Sequence, residues 1–186
     1  MKSETSFSWH TTSYRFSCDL NPQSFFLTDC PERLFFTHHL MNRKASVVWR
    51  GNLRDGIGTL STESGLLRDT EYSFRTRFEK GNGKDGNGTN LEELIAASLG
   101  GCFSMTLSHE LERAGLHPER IETTAVARLE ESKGSWTLTR IELEVRAKIP
   151  NATQNHFIDA ALAAKTNSPM ARLLNTNISM IAHLDA

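Results

Sequence analysis

The chain has 186 residues, of which 38% are hydrophobic, and a formal net charge of −1 at pH 7. That length suits one ordinary domain with a core of its own, and a near-neutral chain without a basic run argues against a general binder of nucleic acid or anionic membrane. No apolar stretch approaches the roughly 20 residues that cross a bilayer. Polar residues interrupt the N-terminus too often for a signal peptide. Three scattered cysteines, Cys18, Cys30 and Cys102, make no disulfide framework. A cytoplasmic setting is therefore expected, in which a cysteine is kept for packing or for reactivity.

Composition shifts near Met41. Before it, Phe25-Phe26 and Phe35-Phe36 lie among Ser, Thr, Asn and Pro with no sustained period of 2 or 3.6. Residues 1–40 are expected to be a poorly ordered extension, or an over-long translation with the natural start at Met41; the sharper alternative is an arm that orders on a partner. His38-His39 with Cys18 and Cys30 lack the spacing of a zinc site. Residues 41–186 then carry the folded domain.

Within it, Val47, Val48 and Trp49 favour a first strand, and Asp55-Gly56 is a turn leading to a second near Ile57 to Thr62. Tyr72, Phe74, Thr76 and Phe78 alternate with polar residues, which predicts a third strand presenting Arg75 and Arg77 on its polar face. The four glycines of residues 81–88 match no phosphate-loop fingerprint and read as a linker. Thr89-Asn90-Leu91-Glu92 fits a capping box, and apolar positions continue from Leu94 to Leu111, with Gly115 and Pro118 as stop signals. Two long strands follow, about Ile121 to Glu131 and Trp136 to Ile149, joined through Lys133-Gly134. Asn151 is expected to cap a helix containing Phe157 and Leu162, and Ser168-Pro169 to start a short helix as N-cap and N1. Ile178 to Leu184 alternates as a last strand. Strands grouped around a long helix, without repeated βαβ units, indicate an α+β fold.

Chemistry centres on Cys102. It follows Gly100-Gly101, and two glycines inside a helix cost roughly 1 kcal/mol each. They mark a kink, a break, or close approach of another backbone. A helix restarting there would favour a thiolate, whereas a buried cysteine otherwise acts as a small hydrophobe. On a straight helix Glu92 lies about 15 Å from Cys102, and only a break would bring it nearer. Glu92 then either holds Arg77, so that the guanidinium polarises a peroxide at the sulfur, or is simply the capping acid. His109 reads as a surface or interface residue, and the alternating Glu and Arg from Arg140 to Lys148 as a solvated sheet face.

Ser61-Thr62-Glu63-Ser64-Gly65, Phe74 through Glu79, Thr89 through Leu94 and Ala96-Ala97 through Met105 resemble the osmotically inducible protein C branch of the OsmC/Ohr family. The resemblance runs in order from about Ala45 to the C-terminus. It implies antiparallel sheets wrapped around long central helices in an intertwined homodimer, with active sites at the subunit interface. It also implies reduction of organic hydroperoxides, in some members hydrogen peroxide as well, by thiol chemistry without metal, haem or other cofactor. By position, Cys102 would be the attacking thiol, Arg77 its activating cation and Glu92 the carboxylate that orients Arg77.

One position departs from the family. Where the resemblance places a second cysteine before a proline, this chain has Ser168-Pro169, so the sulfenic acid cannot be resolved as a disulfide within residues 41–186. An external thiol acting in a one-cysteine cycle is the expected reductant. The alternatives are Cys18 or Cys30 as resolver, or a domain without turnover that senses peroxide or binds a hydrophobic ligand.

Overall fold

Leu99, Phe103, Leu107 and Leu111 recur every four residues, and that spacing stacks them in one stripe along a helix. In the computed structural model, which describes residues 41–78 and 88–185, they are fully buried on α2 (Leu91–Arg113). The helix runs unbroken through Gly100-Gly101. It ends in a Schellman motif: Leu116 N–H donates to Leu111 O at 2.9 Å, Gly115 N–H to Glu112 O at 2.9 Å, and Gly115 takes φ +73°.

The α2 stripe faces a sheet of β4 (Arg120–Ser132), β5 (Ser135–Lys148) and β6 (Asn177–Asp185), in that order. β4 and β5 form an antiparallel hairpin whose turn residues, Lys133 and Gly134, both have positive φ. β6 instead runs parallel to β5, a departure from purely antiparallel sheets that requires a crossover. The crossover is made by α3 (Gln154–Asn167) and α4 (Pro169–Leu173). Ile141, Leu143, Val145 and Ala147 of β5 are buried under the helices, and Phe157, Ala160, Ala161 and Ala164 of α3 close the core. The cap of α3 is Thr153, not the expected Asn151. Pro150 and Asn151 form a turn closed by Ala152 N–H on Ile149 O, with Asn151 at φ +61°, which leaves the N-terminus to Thr153.

A second sheet holds β1 (Ala45–Arg50), β2 (Ile57–Thr62) and β3 (Thr70–Ser73), all antiparallel. Tyr72 lies across Gly58, where a Cβ would clash with its ring, and packs against Trp49 at 5.6 Å. The expected third strand stops early. Ser73 N–H donates to Thr76 Oγ1 at 2.9 Å and Thr76 N–H to Ser73 Oγ at 3.3 Å, a reciprocal capping box that turns the chain into α1 (Phe74–Phe78). Phe74 and Phe78 thus share one helical face at 4.8 Å, and Phe78 meets Trp136 of β5 at 4.8 Å. Residues 1–40 and the linker residues 81–87 lie outside the described residues, as do Cys18, Cys30 and His38-His39. No helix among the described residues is long and apolar enough to cross a membrane.

Candidate active site

Asn90 caps α2 by accepting from Glu93 N–H at 2.7 Å, while Thr89 Oγ1 donates to the Glu93 carboxylate at 3.1 Å. The capping acid is therefore Glu93, one residue beyond the expected Glu92. That frees Glu92 for Arg77. Arg77 Nε and Nη2 both donate to Glu92 Oε1, at 3.0 and 2.7 Å. The pair sits at 13% exposure for Glu92 and 35% for Arg77, whose guanidinium also lies over the Phe78 ring at 4.9 Å. Arg77 reaches this position from α1 rather than from the polar face of a strand. A backbone bond from Thr89 N–H to Glu71 O, 2.9 Å, ties the start of α2 to β3 and so keeps α1 alongside. Arg77, Glu92, Ala97, Gly101 and Ser104 line part of a groove of about 790 Å³.

Cys102 is a half-buried free thiol further along α2. Ser168 Oγ donates to its sulfur at 3.3 Å. Ser168 is 0% exposed and stands at the N-cap of α4, but its side chain makes no capping bond there; its hydroxyl is directed to Cys102 instead. The backbone holds Ser168 on both sides, through Ser168 N–H to Ala164 O at 2.9 Å and Arg172 N–H to Ser168 O at 3.1 Å. The preceding residue is clamped as well. Asn167 Nδ2 donates to Glu110 Oε1 at 2.8 Å, and Arg113 Nη1 holds the other Glu110 oxygen at 3.1 Å.

The expected residues therefore form two pairs, Arg77 with Glu92 and Cys102 with Ser168. Within one chain the pairs do not meet. With no break at Gly100-Gly101, the ten-residue offset from Glu92 to Cys102 is about 15 Å along the axis and roughly 80° around it. Glycine at these positions has another consequence. A Cβ on Gly100 would lie in ordinary contact with Ala125 and Thr123 of β4, while one on Gly101 would meet none of the described residues within 4 Å. Ala97 and Gly101 are exposed, and Met105 is 78% exposed on the same helix.

Sequence reasoning missed Glu110 and Asn167, which lie 57 residues apart and carry no shared pattern. His109 is exposed, as expected of a surface position. The Arg140 to Lys148 run is a solvated ladder: Arg128 to Glu142 at 2.8 Å, Arg140 to Glu142 at 3.2 Å and Arg146 to Glu144 at 3.1 Å. Among the described residues, no group of three or more His, Cys, Asp or Glu is placed to hold a metal ion.

A family model described as OsmC-like protein matches residues 82–182. Peroxiredoxin OsmC of Escherichia coli strain K12 is 36% identical over 140 residues, covering 75% of this chain and 94% of that protein. Among solved structures, the organic hydroperoxide resistance protein OhrB of Bacillus subtilis superposes with a TM-score of 0.56 at 19% identity, over 76% of this chain and 98% of its own. An OsmC-like protein from Mycoplasma pneumoniae gives 0.60 at 11% identity, over 78% and 99%. These two structures share the fold of the present chain.

Proposed function

The chain belongs to the OsmC-like protein family, and we propose that it is a thiol peroxidase that reduces organic hydroperoxides, with Cys102 as the attacking thiol. The observation that carries this reading is that the chain supplies both halves of such a site, each held by its own hydrogen bonds, about 15 Å apart on one continuous helix.

Two copies of the chain complete it. With their α2 helices antiparallel, the Arg77–Glu92 pair of one protomer faces Cys102 of the other, as a two-fold axis requires for both sites at once. Three features support the homodimer. Gly101 and Ala97 leave the α2 surface low enough for a second backbone, the large apolar side chain of Met105 is exposed on the same helix, and Val47 and Val48 of β1 lie open. Gly101, whose Cβ site meets none of the described residues, fits that close approach.

In the reaction, the Cys102 thiolate attacks the terminal peroxide oxygen. An S–O bond forms, the O–O bond breaks, and the alkoxide leaves as the alcohol after taking a proton. Arg77, fixed by Glu92, donates to the departing oxygen where negative charge develops. The sulfur, oxidised by two electrons, is restored by an external thiol: one thiol displaces water to form a mixed disulfide, and a second releases Cys102 as thiol. No bound metal or cofactor enters this scheme.

The test is consumption of cumene hydroperoxide with a small dithiol as reductant, beside Cys102→Ser. Multiple turnovers, lost in the variant, are expected. One turnover or none in the wild-type protein would end the enzyme reading and leave a peroxide sensor or a ligand-binding protein.

A further inference from the structure

We propose that Ser168 is a catalytic hydrogen-bond donor to the Cys102 sulfur, held there by the Asn167–Glu110 clamp. The inference rests on Cys102 being the reacting thiol. The hydroxyl has a capping position open to it at the start of α4 and does not use it. It donates instead to sulfur, 3.3 Å away, from a side chain with no solvent exposure. A hydroxyl donor favours the ionised sulfur over the thiol, because a charged acceptor makes the stronger bond. Out of contact with water, it cannot exchange that partner for solvent.

The bond depends on where α3 ends and α4 begins. Asn167 docks that junction onto α2 through Glu110, which is only 10% exposed and is itself oriented by Arg113. Glu110 stands eight residues after Cys102 on the same helix, so the clamp and the sulfur move as one body. Asn167 and Glu110 are positioning residues that act through Ser168. The position thus contributes a donor that activates the single thiol, with sulfenic acid left for an external reductant.

The experiment is the pH profile of Cys102 alkylation by iodoacetamide in the full chain, for wild type, Ser168→Ala and Asn167→Ala, with Cys102 modification read by peptide mass spectrometry. Ser168→Ala is expected to move the profile to higher pH. Its rate falls several-fold on the acid side, where the hydrogen bond to the charged sulfur is missed, and equals or exceeds wild type at alkaline pH, because a thiolate without a donor is the stronger nucleophile. Asn167→Ala, at an exposed position, shifts the profile the same way by less. A superimposable profile for Ser168→Ala overturns the proposal, as does a rate lowered equally at every pH, which would report access alone. If Ser168→Ala does not fold, Asn167→Ala decides: a shift supports the donor and an unchanged profile overturns it. Alkylation needs no peroxide, so a shifted profile in a protein without turnover would leave this assignment standing while the peroxidase reading fell.

Discussion

On the β4–β6 sheet, Ile141, Leu143, Val145 and Ala147 point at α2 and α3 and are sealed from water; on the β1–β3 sheet, Val47 and Val48 remain 60% and 46% exposed. Both sheets have three strands, yet among the described residues only the first is covered by helices. The difference shows where the chain is self-sufficient. The α2–β5–α3 core closes within the chain, whereas Val47, Val48 and the Gly101 side of α2 stay exposed and are the surfaces of the proposed dimer. The site divides along the same line. Cys102 and Ser168 lie against the closed core, and Arg77 with Glu92 opens to the groove.

The largest expected effect tests the closed side. Phe103→Ala removes a fully buried ring at the centre of the core and should cost about 3–5 kcal/mol in denaturant unfolding. Val47→Ala in dilute protein should cost about 0.5 kcal/mol or less, the usual range for exposed positions. Comparable losses from the two would break the comparison.

The next test concerns the open side. Arg77→Ala should lower kcat/KM for cumene hydroperoxide by about 10²–10³-fold, the loss typical of one transition-state donor, without changing the melting temperature appreciably. Mixing Arg77→Ala with Cys102→Ser under subunit exchange should restore activity to about a quarter of wild type, because half the dimers then carry one intact composite site. Failure of the mixture to recover would place the site within one protomer.

Gly101→Leu sharpens the point with a smaller effect. A Cβ there meets none of the described residues within 4 Å, and replacing a helix glycine should stabilise α2 by about 1 kcal/mol. Dimerisation should nevertheless weaken about 10-fold or more, read by sedimentation at micromolar protein. A dimer of unchanged affinity would remove the α2 contact from the interface.

The smallest effect belongs to the solvated ladder on β4 and β5. The Arg128 hydrogen bond holds the Glu142 carboxyl below its usual range, against a lesser opposing effect of desolvation. A carboxyl depressed in the folded state contributes stability that is present above its ordinary pKa and is lost as pH falls through the lowered value. Glu142→Gln should therefore lower stability slightly at neutral pH and leave the acid end little changed, which flattens the acid limb of the stability profile. Superimposed acid limbs would show that this exposed pair contributes nothing.

Much of this organisation was legible in the sequence because it depends on neighbours three or four residues apart. The extent of α2 with its Gly115 stop, the Lys133-Gly134 turn and the Pro169 start of α4 are local patterns, and the structure keeps them, although Met105, expected among the apolar positions of α2, is exposed. Where local signals competed, the reading slipped. The alternation from Tyr72 to Phe78 suits a strand, but the Ser73–Thr76 bonds offer the backbone a helical turn instead. Thr89 and Asn90 can each cap α2. The choice of Asn90 assigned Glu93 to the cap and gave Glu92 to Arg77.

The sequence by itself determined the α+β class through its local patterns, and its resemblance to the OsmC/Ohr family pointed to Cys102, Arg77, Glu92 and Ser168 as the residues to watch. Only the tertiary structure decided their grouping. A hydrogen bond tolerates a few tenths of an ångström, and whether Ser168 comes within 3.3 Å of a sulfur 66 residues away is set by how α4 docks on α2. The same continuous helix that delivers Cys102 to Ser168 keeps it from Glu92, because a rigid rise of about 1.5 Å per residue cannot be folded back without a break.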